Sequence, residues 1–342
     1  GLLYTTFGVD AAWRIASGGG DIEDWKRAVA SLAMPLTVMS VMLGGKVWQR
    51  RAGALPKAAD EKGRVHTHFD QLGAATGRLS SSSPNLQNIP VQGEWGKKLR
   101  EGFVAKKGFS LVACDYSQVE LRVASHIARE EKMQEVFLQD RDIHQETAAA
   151  VFGVKAKEVT SQMRFRAKAL NFGILYGMGA RGFAQSAGVS FEEAQDFIEN
   201  YFAKFPRIAK YMQDTIESTR ELGYAETLFG RKRYLPDIAS ATPHIRAAAE
   251  RVAINHPIQG SSADIIKFAM VDISETILKK EKHIALLLQI HDELLFEVAD
   301  DKIKKWAPNI ATLMEKAVCL AVPLAVQVSS GRSWGKLARI EY

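Results

Sequence analysis

Cysteine is nearly missing from this chain. Cys114 and Cys319 are the only two in 342 residues, too few and too far apart for a disulfide framework or a zinc cluster, so they read as core thiols in a reducing compartment. The chain opens at Gly1 without the basic, apolar and small-residue succession of a secretory leader, and it reads as part of a longer or processed product. No internal repeat is visible. One uncharged stretch has the length of a membrane span, the 18 residues from Ala28 to Gly45 between Arg27 and Lys46. Pro35, Ser31, Thr37, Ser40 and the Gly44-Gly45 end dilute it, so a buried or partner-covered helix pair breaking at Pro35 is the reading preferred. A strong charge bias is missing as well: Lys plus Arg (45) exceed Asp plus Glu (39) by only 6, which permits a polyanionic partner without demanding one. What remains, with 46% hydrophobic residues, is the makeup of a folded enzyme with a substantial core.

Gly18 to Gly20 and Arg50 to Lys62 are rich in breakers or polar residues, so the region before about Gly63 reads as a small helical appendage. Gly73 to Val91 (GAATGRLSSSSPNLQNIPV) is too dense in Gly, Ser, Asn and Pro for a regular element and reads as loop. Phe109 to Cys114 (FSLVAC) reads as a buried strand ending at Asp115. Helical periodicity then covers Gln118 to Arg129, Asp142 to Phe152, Ser161 to Tyr176, Ser190 to Phe202, Arg207 to Leu222, Pro243 to Asn255 and Ser262 to Lys280. Ile284 to Ile290 and Leu294 to Val298 form a hairpin pattern with acids at its turn. A helix from about Asp301 to Cys319 and a strand from Pro323 to Val328 close the series.

Two acids, Asp115 and Asp292, share one context at the ends of apolar runs. Either alone reads as a turn cap. Brought together they would repel unless divalent cations lay between them, and such a pair can hold two ions about 4 Å apart for in-line displacement at phosphorus. The segment Arg164 to Gly177 (RFRAKALNFGILYG) adds a second constellation, because Arg164, Lys168 and Phe172 recur at helical spacing on one face. Two cations and a ring so placed could take a nucleoside triphosphate, with Lys168 able to lend a proton to pyrophosphate. A solvated basic stripe with a core Phe is the plainer alternative for that helix taken alone.

Together these stretches resemble the motifs of family A DNA polymerases. Asp115-Tyr116-Ser117-Gln118-Val119-Glu120-Leu121-Arg122 is similar to their first motif, Arg164 to Gly177 to the second and Ile290 to Leu294 (IHDEL) to the third. TGRLSSSSPNLQNIP (Thr76 to Pro90) and NHPIQGSSADIIK (Asn255 to Lys267) resemble the template-primer and palm segments, all in the family's order. The resemblance implies an α+β right-hand polymerase fold: an antiparallel-sheet palm with helical fingers and a short or divergent helical thumb. It divides the chain into a thumb-like region 1–62, palm 63–130, fingers 131–243 and the remaining palm 244–342.

By the same resemblance, Asp115, Asp292 and the Tyr116 backbone carbonyl would hold two Mg2+ ions, with Mn2+ as a substitute and Glu293 as supporting acid. Gln118, His144, Arg164, Lys168, Phe172 and Tyr176 would bind the incoming nucleotide, and Lys168 would act as acid. Glu120, hydrogen-bonded to Tyr176, would crowd out a ribose 2′-hydroxyl. Arg78, Asn85, Gln87, Asn255, Gln259 and His291 would contact primer and template, largely in the minor groove, where polar donors test pair shape without reading sequence. The implied partners are primer-template DNA and deoxynucleoside triphosphates. No membrane partner is expected, the working unit is a monomer, and the setting is cytoplasmic or an organelle matrix.

Three departures temper the likeness. Ala28 to Gly45 is apolar where the family's thumb helices are charged, Phe165 stands where many members carry a second Arg, and no room or D-x-E pattern is present for a proofreading nuclease. Phe172, rather than Tyr, implies discrimination against dideoxynucleotides. A phosphohydrolase built on the His291-Asp292 dipeptide is the main rival, although such sites lie on helices with further histidines.

Overall fold

The computed structural model describes residues 5–8, 58–91 and 94–341. The helical appendage expected before Gly63, its Ala28 to Gly45 stretch included, falls largely outside them. Where that region is described, Thr5–Gly8 (β1) is a strand, antiparallel to Arg64–Asp70 (β2), which in turn pairs with Ser80–Ser82 (β3). The segment expected to be loop throughout thus contains one short strand. Thr67 and Ser81 bind each other through their hydroxyls at 2.7 Å, and the Leu86 N–H donates to Ser81 Oγ, so side chains hold what the sequence's breakers leave irregular.

A helix at Glu94–Glu101 (α1), unseen in the sequence pattern, leads to Phe109–Tyr116 (β4). The strand runs two residues further than its apolar run. Asp115 therefore lies inside it and not after it, because the ladder to its neighbours continues past the last hydrophobic residue. Val119–Ile127 (α2) follows at once. A helical series comes next: Glu131–Leu138 (α3), Ile143–Phe152 (α4), Ser161–Leu175 (α5), Ala180–Ala187 (α6), Phe191–Lys204 (α7) and Pro206–Leu222 (α8). The short helices α3 and α6 were not legible in the pattern, having too few turns to establish a period. Phe183, Tyr201 and Phe205 are fully buried among these helices, and the Phe152 and Phe197 rings lie 4.7 Å apart.

A small hairpin, Tyr224–Glu226 (β5) with Lys232–Tyr234 (β6), precedes the longest helix, Pro243–Ile273 (α9). Two helices were expected there, broken near Pro257 and Gly260. The helix instead runs through both, and burial is the reason: Ala253, Ile254, Ile258, Ile265 and Ile266 are all sunk in the core. The Tyr211 hydroxyl also donates to the Ile254 carbonyl at 2.7 Å, bracing α8 against the turn that Pro257 interrupts. Gly260 permits the close approach of the β5–β6 turn, since a Cβ there would stand 2.5 Å from Thr227 Cγ2.

After a π turn at Ser274–Leu278 come Ile284–Ile290 (β7) and Glu293–Ala299 (β8), the expected hairpin. Ile303–Glu315 (α10), Val326–Gly331 (β9) and Ala338–Arg339 (β10) complete the described residues. Strand β9 starts later than PLAVQV suggested. The sheet order is β10-β9-β4-β8-β7, antiparallel at every pairing. Its central strand β4 is buried from Ser110 to Cys114, as an apolar run without alternation requires, and α10 covers one face through Trp306, Ile310 and Met314.

Candidate active site

The end of β4 meets the β7–β8 turn. Asp115 pairs with Glu293 across the ladder, and the Tyr116 N–H donates to the Asp292 carbonyl at 3.1 Å. Strand pairing alone thus collects acids from two distant stretches of chain. His291 turns the hairpin with φ 53, in the left-handed region, and the Gln289 side-chain amide donates to its carbonyl at 2.5 Å. Gln87 in turn donates to Gln289 Oε1 at 2.9 Å, tying the 73–91 loop to this turn.

The acids repel. Asp115 is exposed near the end of β4, but surrounding protein atoms displace enough water from its carboxyl to push it up to about 6. Burial does the same to Asp292, helped by the charges of Glu120 and Asp115 and opposed by Arg78, so that it too rises to about 6. Glu293 is raised to about 7 by burial and then by Asp115, against the pull of Arg100 and the Trp334 N–H. Its Oε1 is buried without a hydrogen bond among the described residues. Such crowding suits cations, since hard oxygen donors whose charged forms are disfavoured gain most from a divalent ion. Among the described residues no group of three or more His, Cys, Asp or Glu side chains forms a closed metal cage. A two-carboxylate set is what Mg2+ uses when substrate phosphates supply its other ligands.

Two hydrogen bonds and one ion pair join the acids to the end of α5. Tyr176, the residue after that helix, donates to Glu120 Oε2 at 2.6 Å, while Arg78 donates to Glu120 Oε1 at 2.7 Å and stands 3.9 Å from Asp292 Oδ1. Glu120 is buried in the first turn of α2, placed there by Gln118, whose φ of 47 swings the chain out of β4. Burial and then the Glu120 charge raise the Tyr176 hydroxyl, so it remains a donor.

On the other flank, α4 packs along α5. Asp142 caps α4 by accepting from the His144 and Gln145 N–H groups and also takes the Arg164 Nε–H at 2.7 Å. Burial would raise the Asp142 carboxyl, but the Arg164 hydrogen bond and the two capping bonds bring it below its ordinary value. His144 is buried, with its ring 5.8 Å from that of Phe172. Lys168 is exposed on the same stretch of α5, and no ion pair among the described residues holds it.

The remaining expected contacts are more scattered. Asn85 accepts from the Asn88 N–H at 3.2 Å within its own loop. Asn255 and Gln259 are half-buried one turn apart on α9, and a Cβ on the next residue, Gly260, would be 3.4 Å from the Thr76 carbonyl, so this helix borders the Arg78 loop. His291 is exposed beside the acids, its imidazole lowered by burial and then by Arg78 and Arg100. Several participants escaped the sequence reading. Arg100 stacks on Trp334 with its guanidinium 4.0 Å from the ring centre, and nothing local in either residue's sequence announces that. Asp142 could have been found, since it opens a periodic run as helix caps do. A cavity of about 700 Å3 lined by Arg207, Tyr211 and Tyr224 shares no residue with the acids.

The His291-Asp292 pair sits in a strand turn and not on a helix, which removes the footing of the phosphohydrolase alternative. Residues 34–336 match the family described as DNA polymerase family A. This chain belongs to DNA polymerase family A. It is 48% identical over 272 residues to the thermostable DNA polymerase I of Thermus filiformis, covering 80% of this chain and 32% of that one. It is 41% identical over 339 residues to DNA polymerase I of Pseudomonas aeruginosa, covering 97% and 37%. The chain thus spans about a third of the length of these curated relatives. Among solved structures it resembles the POL domain of Pol1 from M. smegmatis, in complex with DNA primer-template and dNTP, with TM-score 0.82, 40% identity, and 88% of this chain and 55% of that one covered. The fold is accordingly the right-hand polymerase architecture, with an antiparallel-sheet palm and helical fingers. Members of this family use divalent metal ions.

Proposed function

We propose that the chain is a template-directed DNA polymerase that adds deoxynucleotides to a primer 3′ end and releases pyrophosphate. The observation that carries this is the continuous link Asp292, Arg78, Glu120, Tyr176, by which the paired acids of the sheet are tied to the cationic helix α5. Residues 63–130 and 244–342 would serve as palm and 131–243 as fingers. Two Mg2+ ions, or Mn2+, held by Asp115, Asp292 and the Tyr116 carbonyl with Glu293 beside them, would supply charge neutralisation at the α-phosphate and an acidified primer hydroxyl.

The chain's own groups do the rest. Arg164, His144 and Lys168 grip the triphosphate, and Lys168 is placed to protonate pyrophosphate. Phe172 lies against the sugar, Gln118 lines the nucleotide's approach, and Tyr176 bounds the base-pair pocket. Glu120 occupies the room that a 2′-hydroxyl would need. Arg78, Asn85, Gln87, Asn255, Gln259 and His291 offer polar contacts to primer and template. Arg164 would have to leave Asp142 to reach phosphate, a change that a swing of α5 onto the paired nucleotide would accompany. The proposed partners are primer-template DNA and deoxynucleoside triphosphates, the working unit a monomer, and the setting cytoplasmic.

Primer extension tests the reading. With Mg2+ the chain should extend a labelled primer using deoxynucleotides, and Asp292→Ala should abolish this. An equally active Asp292→Ala protein overturns it, and template-independent release of phosphate from mononucleotides would restore the hydrolase alternative.

A further inference from the structure

Asn171, next to Phe172 on α5, is fully buried. Its carboxamide nitrogen lies 3.0 Å from His144 Nδ1 and 3.1 Å from Thr147 Oγ1. Thr147 gives its one hydroxyl proton to the Ile143 carbonyl at 2.8 Å, which leaves a lone pair to accept from Asn171, although Asn171 Oδ1 also lies within 3.2 Å of that hydroxyl. An amide nitrogen can only donate. Nδ1 must therefore present its lone pair, and a neutral imidazole then carries its proton on Nε2.

We propose that Asn171 is a positioning residue that locks His144 in the Nε2–H tautomer, leaving that N–H as a fixed donor to the triphosphate. This deepens the polymerase reading and rests on it for the identity of the anion. A doubly protonated ring would turn an N–H against the Asn171 amide, so the lock also keeps His144 uncharged. The charged groups facing the ring agree with this: Arg164 and Lys168 from α5 repel a second proton, and Asp142 at the start of its own helix is the acid opposing them. His144 then holds phosphate without giving up its proton, and the transferable proton is left to Lys168.

The test joins a spectrum to kinetics. Nitrogen-15 NMR of histidine-labelled chain, with His144 assigned by loss of its signals in His144→Gln, should show a pyridine-type Nδ1 and a pyrrole-type Nε2 from pH 6 to 8. Addition of dATP with Mg2+ should shift Nε2 most. Asn171→Leu should raise KM for deoxynucleotides roughly tenfold with kcat changed less than about twofold. Combined with His144→Gln, it should add nothing further. Asn171→Asp, which turns an acceptor toward Nδ1, should let His144 titrate between pH 5 and 8. A pyrrole-type Nδ1 in the parent chain, an unchanged KM in Asn171→Leu, or additive losses in the double variant would each overturn the proposal. Should Asn171→Leu fail to fold, the parent spectrum and Asn171→Asp still decide. If the parent extends no primer, the polymerase reading fails while the tautomer remains measurable.

Discussion

His144 is nearly sealed from water, and burial first, then Arg164 and Lys168, lower its imidazole to about 4 against the pull of Asp142. Unfolded, the ring would titrate near 6.5, so between these values the unfolded chain binds more protons. Its contribution to stability is complete above about 6.5 and is lost as pH falls toward 4, amounting to at most about 3 kcal/mol. Urea unfolding at pH 7.5 and pH 5 should therefore show His144→Gln losing less stability on acidification than the parent chain, and equal losses would contradict this. Glu120 is the other residue with a sharp consequence. It is buried and holds both Arg78 and Tyr176, and in the proposed reading its truncation would open space beside the nucleotide's sugar. Glu120→Ala should lower discrimination against ribonucleotides at least about tenfold in competitive extension assays, and unchanged selectivity would place the 2′-hydroxyl elsewhere.

Among the elements, α5 and α9 show how far periodicity carries. The spacing of Arg164, Lys168 and Phe172 put them on one helical face, and α5 runs from Ser161 to Leu175 with the Thr160 side chain capping the Met163 N–H. What periodicity cannot reveal is the partner helix. Asn171 and Asp142 acquire their significance only when α4 lies alongside. Helix α9 defeated local rules, because Pro257 and Gly260 signal breaks while burial on most sides keeps the helix continuous. Gly260→Ala tests that packing. A Cβ 2.5 Å from Thr227 Cγ2 forces the β5–β6 hairpin away, and the variant should lose about 1–3 kcal/mol in urea unfolding. A neutral result would mean that the hairpin yields freely.

Taken as a whole, the molecule carries a net charge of only +6, so the proposed binding of DNA would depend on where cations stand and not on bulk charge. Arg78 stands beside the acids and Lys168 is exposed on α5, and duplex binding that neutralises phosphates would release counterions. Affinity for a fluorescent primer-template should fall roughly a hundredfold between 50 and 200 mM salt, as measured by anisotropy. An affinity indifferent to salt would require contacts other than those to phosphate. No helix among the described residues is long and apolar enough to cross a membrane.

The linear chain by itself determined the motifs, the central strand, most longer helices and the hairpin with acids at its turn, because each depends on the order of neighbouring residues. Only the tertiary structure decided that Asp115 stands inside its strand opposite Glu293, that Arg78 bridges Glu120 and Asp292, and that Asn171 and Asp142 meet His144 and Arg164. The physical reason is one of range. Periodicity and turn chemistry are read over a few residues, whereas repulsion between carboxylates, proton placement on an imidazole and the passage of a helix through Pro257 are set by groups that folding brings from far along the chain.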